Sequence, residues 1–296
     1  MKALLALLFV QFCFGLFPFF GKLAFAAFPP EALAAWRILS GGVILFLLAV
    51  VMDHRRLLPP RHLLFRIAFC GSLGIAFNQI CFLQGLSRVP TINSALILAL
   101  IPVLTFLFAT LLRQEAFVKR RFVGVLVAGF GISYLIFERG VSLKSDIFLG
   151  NLALLMSASS YSLYLVLSRP ILKEMPPLLA TAWIFLLSSW TVPLIQTEIT
   201  MFPANAGNAW WALAWIIVFP TVLAYLLNLY AMVRLPSSTI AFFVFLQPLI
   251  TATVGIIWLD EKPTIGVLIA APCVFLGMFL VIKRRPRTPA APFAAP

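Results

Sequence analysis

Few side chains in this sequence can do chemistry, and most of them sit singly inside long apolar runs. Gln11, Arg37, Asn78, Gln79, Ser94, Tyr161, Tyr225, Asn228 and Gln247 are the polar groups to account for. Amides can both donate and accept hydrogen bonds, so Asn and Gln suit recognition of a zwitterion or an amide. Tyr and Phe provide the apolar wall that a small ligand needs. This is binding chemistry, not bond-breaking chemistry, and these nine residues are the candidate substrate contacts. Arg37, which follows Trp36, is the one ionisable residue well inside an apolar run. It can hold a carboxylate through two hydrogen bonds, pair with helix-end carbonyls, or snorkel to the nearer interface. The best catalytic cluster is Asp53, His54 and His62 in one short basic loop, and it is weak. The four cysteines lie inside apolar runs without metal-ligand spacing and read as packing residues; no metal site or cofactor is expected. No phosphate-binding Gly loop is present, so no ATPase partner is implied.

The elements that position these groups follow from composition. Of 296 residues, 62% are hydrophobic and only 10% charged, with a mean hydropathy of +1.07. Soluble domains carry about 25% charged residues. A surface this poor in charge has to face lipid. A spanning helix needs roughly 20 apolar residues, and ten such segments are predicted: 3–21, 33–52, 65–84, 95–112, 122–137, 147–168, 178–197, 210–232, 240–259 and 265–282. They are continuous rather than alternating, which predicts an all-α integral membrane bundle and not a barrel. The first segment follows Lys2 and precedes Ala24-Phe25-Ala26, like a signal peptide, but at about 19 residues it exceeds the usual h-region. The Pro/Ala-rich stretch 286–296 is expected to be a disordered cytoplasmic tail.

The second half of the chain repeats the first at an offset of 146. Arg88, Pro90, Ala95, Leu100, Pro102, Thr105, Glu115 and Gly131 recur as Arg234, Pro236, Ala241, Leu246, Pro248, Thr251, Glu261 and Gly277. Residues 1–141 and 142–285 therefore read as two five-helix repeats. Basic residues orient them: 16 of the 22 Lys and Arg fall on the side of both termini, 5 on the other, and Arg37 within a span. Both termini are then cytoplasmic. The basic excess reports orientation rather than a nucleic-acid partner. Five helices per repeat is an odd number, so the two repeats are inverted relative to each other. Inverted repeats give a route to alternating access.

The offset also pairs the candidate residues. Gln11 matches Ser157, Gly15 matches Tyr161, Gln79 matches Tyr225 and Phe82 matches Asn228. Scaffold positions agree between halves, whereas candidate ligand positions differ. Pro90 and Pro236 begin the fourth and ninth helices, where Thr91, Ser94, Ser237 and Ser238 can serve the free backbone donors. Pro102 and Pro248 lie further in and should kink the same two helices, either as gating bends or as static kinks that fit the packing. Glu115 and Glu261 read as anchors or loop ion pairs.

The stretch from Gly85-Leu86 through Pro90, Ala95 and Pro102 to Glu115, its copy from Leu235-Pro236 through Ala241 and Pro248 to Glu261, and the ten-helix count together resemble the EamA family of the drug/metabolite transporter superfamily. The resemblance covers about residues 3–283. It implies a bacterial inner-membrane exporter of small metabolites, amino acids and aromatic ones among them, with a central cavity between the halves and a role for Arg37. No intramembrane Asp or Glu is found, so facilitation or exchange is expected in place of carboxylate-mediated proton coupling. The expected partners are a small-molecule substrate and the lipid bilayer, for a monomer or weak dimer. The alternatives are a channel-like pore and an integral-membrane enzyme using the Asp53/His54/His62 loop.

Overall fold

The computed structural model describes residues 1–52, 57–138, 145–195, 201–232, 234, 243–244 and 246–282. Asp53, His54, residues 235–242 and the tail 286–296 lie outside the described residues. Among the described residues every regular element is helical. Eight helices are long and apolar enough to cross a membrane: α1 (Lys2–Ala24), α2 (Pro30–Met52), α3 (Arg61–Arg88), α4 (Thr91–Leu111), α5 (Lys119–Phe137), α6 (Asp146–Glu174), α8 (Ala209–Asn228) and α10 (Ile265–Ile282). Two shorter apolar helices, α7 (Pro177–Thr191), continued by the single turn Val192–Ile195, and α9 (Leu246–Trp258), lie between them. Apart from α3, whose ends are amphipathic, these helices have low amphipathicity because both faces are apolar, one toward protein and one toward lipid.

Local chemistry sets the helix starts. Pro30 opens α2 with Glu31 in its first turn, a combination that suits a helix N-terminus. Ser145 caps α6 by accepting from the Phe148 amide, and Asp146 adds a negative charge to the same turn. α4 is interrupted at Ala99 and Leu100 and restarts at Ile101, just before Pro102, which has no N–H to give to the preceding turn. Pro248 lies in the first described turn of α9 and is buried.

Helix pairing crosses between the halves. α1 packs on α8 and α9, α6 packs on α3 and α4, α2 packs on α7, and α5 packs on α10. Exchanging every helix for the one five places along leaves this pattern unchanged. Small residues let the backbones approach, as is usual between helices in lipid. The most extensive meeting is α5 with α10. A Cβ placed on Gly277 would sit 2.6 Å from the Ala128 Cβ and 2.6 Å from the Gly124 carbonyl oxygen.

Two π-helical turns interrupt otherwise α-helical spans. Ser72–Phe77 widens α3 and Ile217–Leu223 widens α8. Shifted by 146, the first covers 218–223. A π turn frees carbonyls from the i→i+4 ladder and is frequent at functional sites. Both turns lie immediately before candidate residues, Asn78 and Gln79 in one case and Tyr225 in the other.

Candidate functional site

Arg37 sits two turns into α2 and is only 3% exposed, so it does not snorkel. Its Nε donates to Thr221 Oγ1 at 3.0 Å and one terminal nitrogen donates to Gln79 Oε1. The guanidinium lies over the Phe17 ring, 4.1 Å from the centroid, a favourable cation–π geometry. Phe17 in turn packs on Phe82 with ring centroids 5.0 Å apart. Among the described residues no carboxylate pairs with Arg37. Thr221 was not singled out by sequence. It stands within the π turn of α8, and its hydroxyl also donates to Ile216 O, five residues back, at 2.9 Å. The wide turn presents this hydroxyl to α2.

An aromatic group adjoins the guanidinium. The Tyr161 and Tyr225 hydroxyls interact with each other, and Tyr225 is within electrostatic reach of Arg37. The Tyr225 ring meets Phe185 edge-on with centroids 5.6 Å apart and Phe14 at 6.4 Å. Tyr161 stacks obliquely on Tyr164 at 5.6 Å. Residues from α1, α2, α3, α6, α7 and α8 thus converge on one cationic centre with an aromatic flank. Electrostatically, this arrangement can hold an anionic head group against an apolar body.

The remaining candidates divide. Asn78 and Gln79 are neighbours on α3 and so point about 100° apart. Gln79 serves Arg37, whereas Asn78 donates to the Ser157 carbonyl at 2.9 Å and its hydroxyl at 2.8 Å, tying α3 to α6. Gln11 accepts from Gln247 Nε2 at 2.7 Å, joining α1 to α9. Asn228 lies one turn beyond Tyr225 on α8 and is half-buried. Ser94 is fully buried and donates to the Thr91 carbonyl at 2.7 Å, so its hydroxyl is spent inside its own helix.

The start of α4 corrects one expectation. Thr91 and Ser94 do not cap it. Glu261, from the end of α9, accepts from the Thr91 amide at 2.6 Å, the Ile92 amide at 3.1 Å and the Thr91 hydroxyl at 2.9 Å. A carboxylate answers both the free donors and the dipole of a helix N-terminus, and a hydroxyl answers only one donor. Glu115 makes ion pairs as anticipated, with Arg169 at 3.0 Å and Arg121 at 3.3 Å. His62 pairs with Glu174 at 2.7 Å. Among the described residues no three His, Cys, Asp or Glu side chains come together as a metal site.

The Gln11–Gln247 bond yields a stability test. Gln11 is 2% exposed, so Gln247→Leu leaves a buried amide unpaired, at a cost of about 1–3 kcal/mol. Replacing both by Leu removes that penalty. Thermal unfolding in detergent is expected to show a drop for the single variant and recovery for the double.

Against this geometry, the family model described as the EamA-like transporter family matches residues 1–137 and again residues 148–283. The chain belongs to the EamA-like transporter family. It is therefore a multi-pass membrane protein of a transporter family, and the enzyme alternative has no support from its relatives. The chain is 24% identical to the uncharacterized transporter YyaM of Bacillus subtilis, over 77% of this chain and 76% of that protein. It is 26% identical to a WAT1-related protein of Arabidopsis thaliana, over 95% and 81%. It is 22% identical to a probable terminal-alkyne amino-acid exporter of Streptantibioticus cattleyicolor, over 84% and 82%. A solved crystal structure shares the fold of this EamA-like chain with a TM-score of 0.66 and 20% identity, covering 94% of each chain.

Proposed function

We propose that the chain exports small carboxylate-bearing metabolites, foremost amino acids with apolar or aromatic side chains, across the bacterial inner membrane. Transport proceeds by alternating access between two inverted repeats, residues 1–141 and 142–285, with both termini cytoplasmic, in a monomer or weak dimer. The observation that carries this reading is Arg37, a buried guanidinium with no acidic partner among the described residues. An uncompensated buried ion costs several kcal/mol. A substrate carboxylate is the missing counter-ion, and the Tyr161, Tyr225, Phe14 and Phe185 rings form the wall for its apolar body. Gln79 and Thr221 hold the guanidinium in place, leaving one edge for the ligand. The probable amino-acid exporter among the relatives supports the same class of substrate. The unchanged helix pairing on exchange of the halves, and the family model matching twice, support the repeat architecture. Pro102 and Pro248 supply bends at matching depths for the rocking motion.

The test is efflux and counterflow of a panel of amino acids, their decarboxylated amines and aromatic acids in proteoliposomes. Carboxylate-bearing compounds are expected to be carried and the matching amines not. Carriage of the amines alone would overturn the reading.

The described acidic residues, Glu31, Glu115, Glu138, Asp146, Glu174, Asp260 and Glu261, all lie at helix ends or in connections. Proton-driven carriers commonly place such a group within the membrane. A pH gradient alone is accordingly expected to produce no accumulation in proteoliposomes, and accumulation would show that a proton is coupled by another group.

A further inference from the structure

Among the described residues Arg37 meets uncharged groups. Thr221 and Gln79 accept its hydrogen bonds, Phe17 lies under the guanidinium, and Tyr225 adjoins it. These dipoles and rings orient a cation without neutralising it. The described acidic side chains stand at helix ends or in connections, so none of them can take a ligand's place beside Arg37. The surroundings are also tied at both ends of the bundle. At the first turn of α4, Glu261 from the second half of the chain accepts from the Thr91 and Ile92 amides of the first half. Beyond the last turn of α4, Glu115 of the first half pairs with Arg169 of the second at 3.0 Å, and His62 pairs with Glu174 at 2.7 Å. Between these two sets of ties Arg37 is only 3% exposed. A carrier that alternates its access passes through an arrangement of this kind, closed on both sides, at every crossing. With a carboxylate aboard, the guanidinium crosses as half of an ion pair. Without one, it loses its water and gains no opposite charge, and that desolvation is not offset.

Resting on the carboxylate reading given above, we propose that the chain is an obligatory exchanger. It crosses loaded in both directions, and each carboxylate-bearing molecule that leaves is replaced by another that enters. The return of the unloaded carrier is the slow step, and Arg37 is what slows it. The gradient of the incoming carboxylate then drives export of the outgoing one.

Proteoliposomes of the full chain test this. They are loaded with labelled phenylalanine, leucine or phenylpyruvate, and efflux is timed into plain buffer, buffer with the same compound unlabelled, or buffer with phenethylamine. Efflux into the unlabelled carboxylate is expected to exceed efflux into plain buffer or phenethylamine by about 100-fold. Gln79→Glu supplies an internal counter-ion at nearly unchanged volume, since Gln79 already accepts from Arg37 and is 5% exposed. This variant is expected to raise efflux into plain buffer about tenfold and to bring the two rates together. It is also expected to need more outside substrate for half-maximal exchange, because its own carboxylate competes. Wild-type efflux into plain buffer within about threefold of exchange, or equal stimulation by phenethylamine, overturns obligatory exchange and leaves the carboxylate carrier standing. A folded Gln79→Glu protein with the wild-type ratio overturns it too, and the wild-type ratio decides if that variant does not fold. If none of the three compounds leaves faster than from protein-free vesicles in either mode, the carboxylate reading itself falls, and exchange with it.

Discussion

Arg37→Gln is expected to lower transport by about 100-fold or more while leaving the folded protein as stable as before, or more so. The two readouts separate because the residue serves them differently. A buried guanidinium with no acidic partner among the described residues is a burden on the empty protein, and removing an uncompensated buried charge relieves its desolvation cost. Glutamine keeps an amide donor toward Gln79 and Thr221. What it cannot supply is charge-assisted, paired hydrogen bonding to a carboxylate, and each such bond contributes about 1.5–3 kcal/mol. Two of them account for the expected loss, since every 1.4 kcal/mol is about tenfold. Arg37→Lys is expected to fail nearly as badly, because an ammonium is a point charge and cannot address Thr221, Gln79 and a ligand from one rigid plane. Unfolding midpoints in detergent together with concentration-dependent uptake in proteoliposomes check both halves of the expectation. A lost midpoint with transport unchanged would assign Arg37 to structure instead.

Gly277→Leu is expected to have the largest effect on folding. Gly277 faces the Ala128 side chain and the Gly124 carbonyl across the α5–α10 contact, and Gly124 faces the Gly277 carbonyl in return, 2.7 Å from where its own Cβ would be. The nearest atoms include backbone, which cannot rotate away as a side chain can. A branched four-carbon side chain has to push the helices apart along their length. Overpacking ordinarily costs about 1–3 kcal/mol, and here the cost is expected at or above the top of that range, because packing is the chief attraction between helices in lipid. Gly129 is the internal control, since nothing lies within 4 Å of a Cβ placed there. Gly129→Leu is expected to retain folded yield by gel filtration in detergent, and Gly277→Leu to lose most of it.

The helical class was legible because lipid leaves a continuous apolar run few other structures, and the 146-residue offset was legible because Pro, Arg and Glu are rare enough here to mark a register. Gln79 and Tyr225 were found through that offset and do adjoin Arg37. Thr221 was missed: a hydroxyl in an apolar helix has no distinctive pattern, and only the π turn brings it to Arg37. The partner of Glu261 was likewise out of reach. The sequence places a glutamate at a helix end, but the 170 residues between Glu261 and Thr91 are closed by packing and not by spacing. Ser94 and Thr91 looked like caps because local side chains are the usual source of one, and a distant carboxylate won because it satisfies two amides together.

The paired π turns also mark what the two halves share and what they do not. A π turn holds one more residue than the α turn it replaces. A residue added to one half alone would change the offset between the matching positions by one on crossing the turn. The offset stays at 146 from Pro30 and Pro176 through Gly131 and Gly277, and both halves carry the wide turn. The charge is not shared: the position matching Arg37 in the second half is Trp183, so a distortion common to both halves serves a guanidinium present in one.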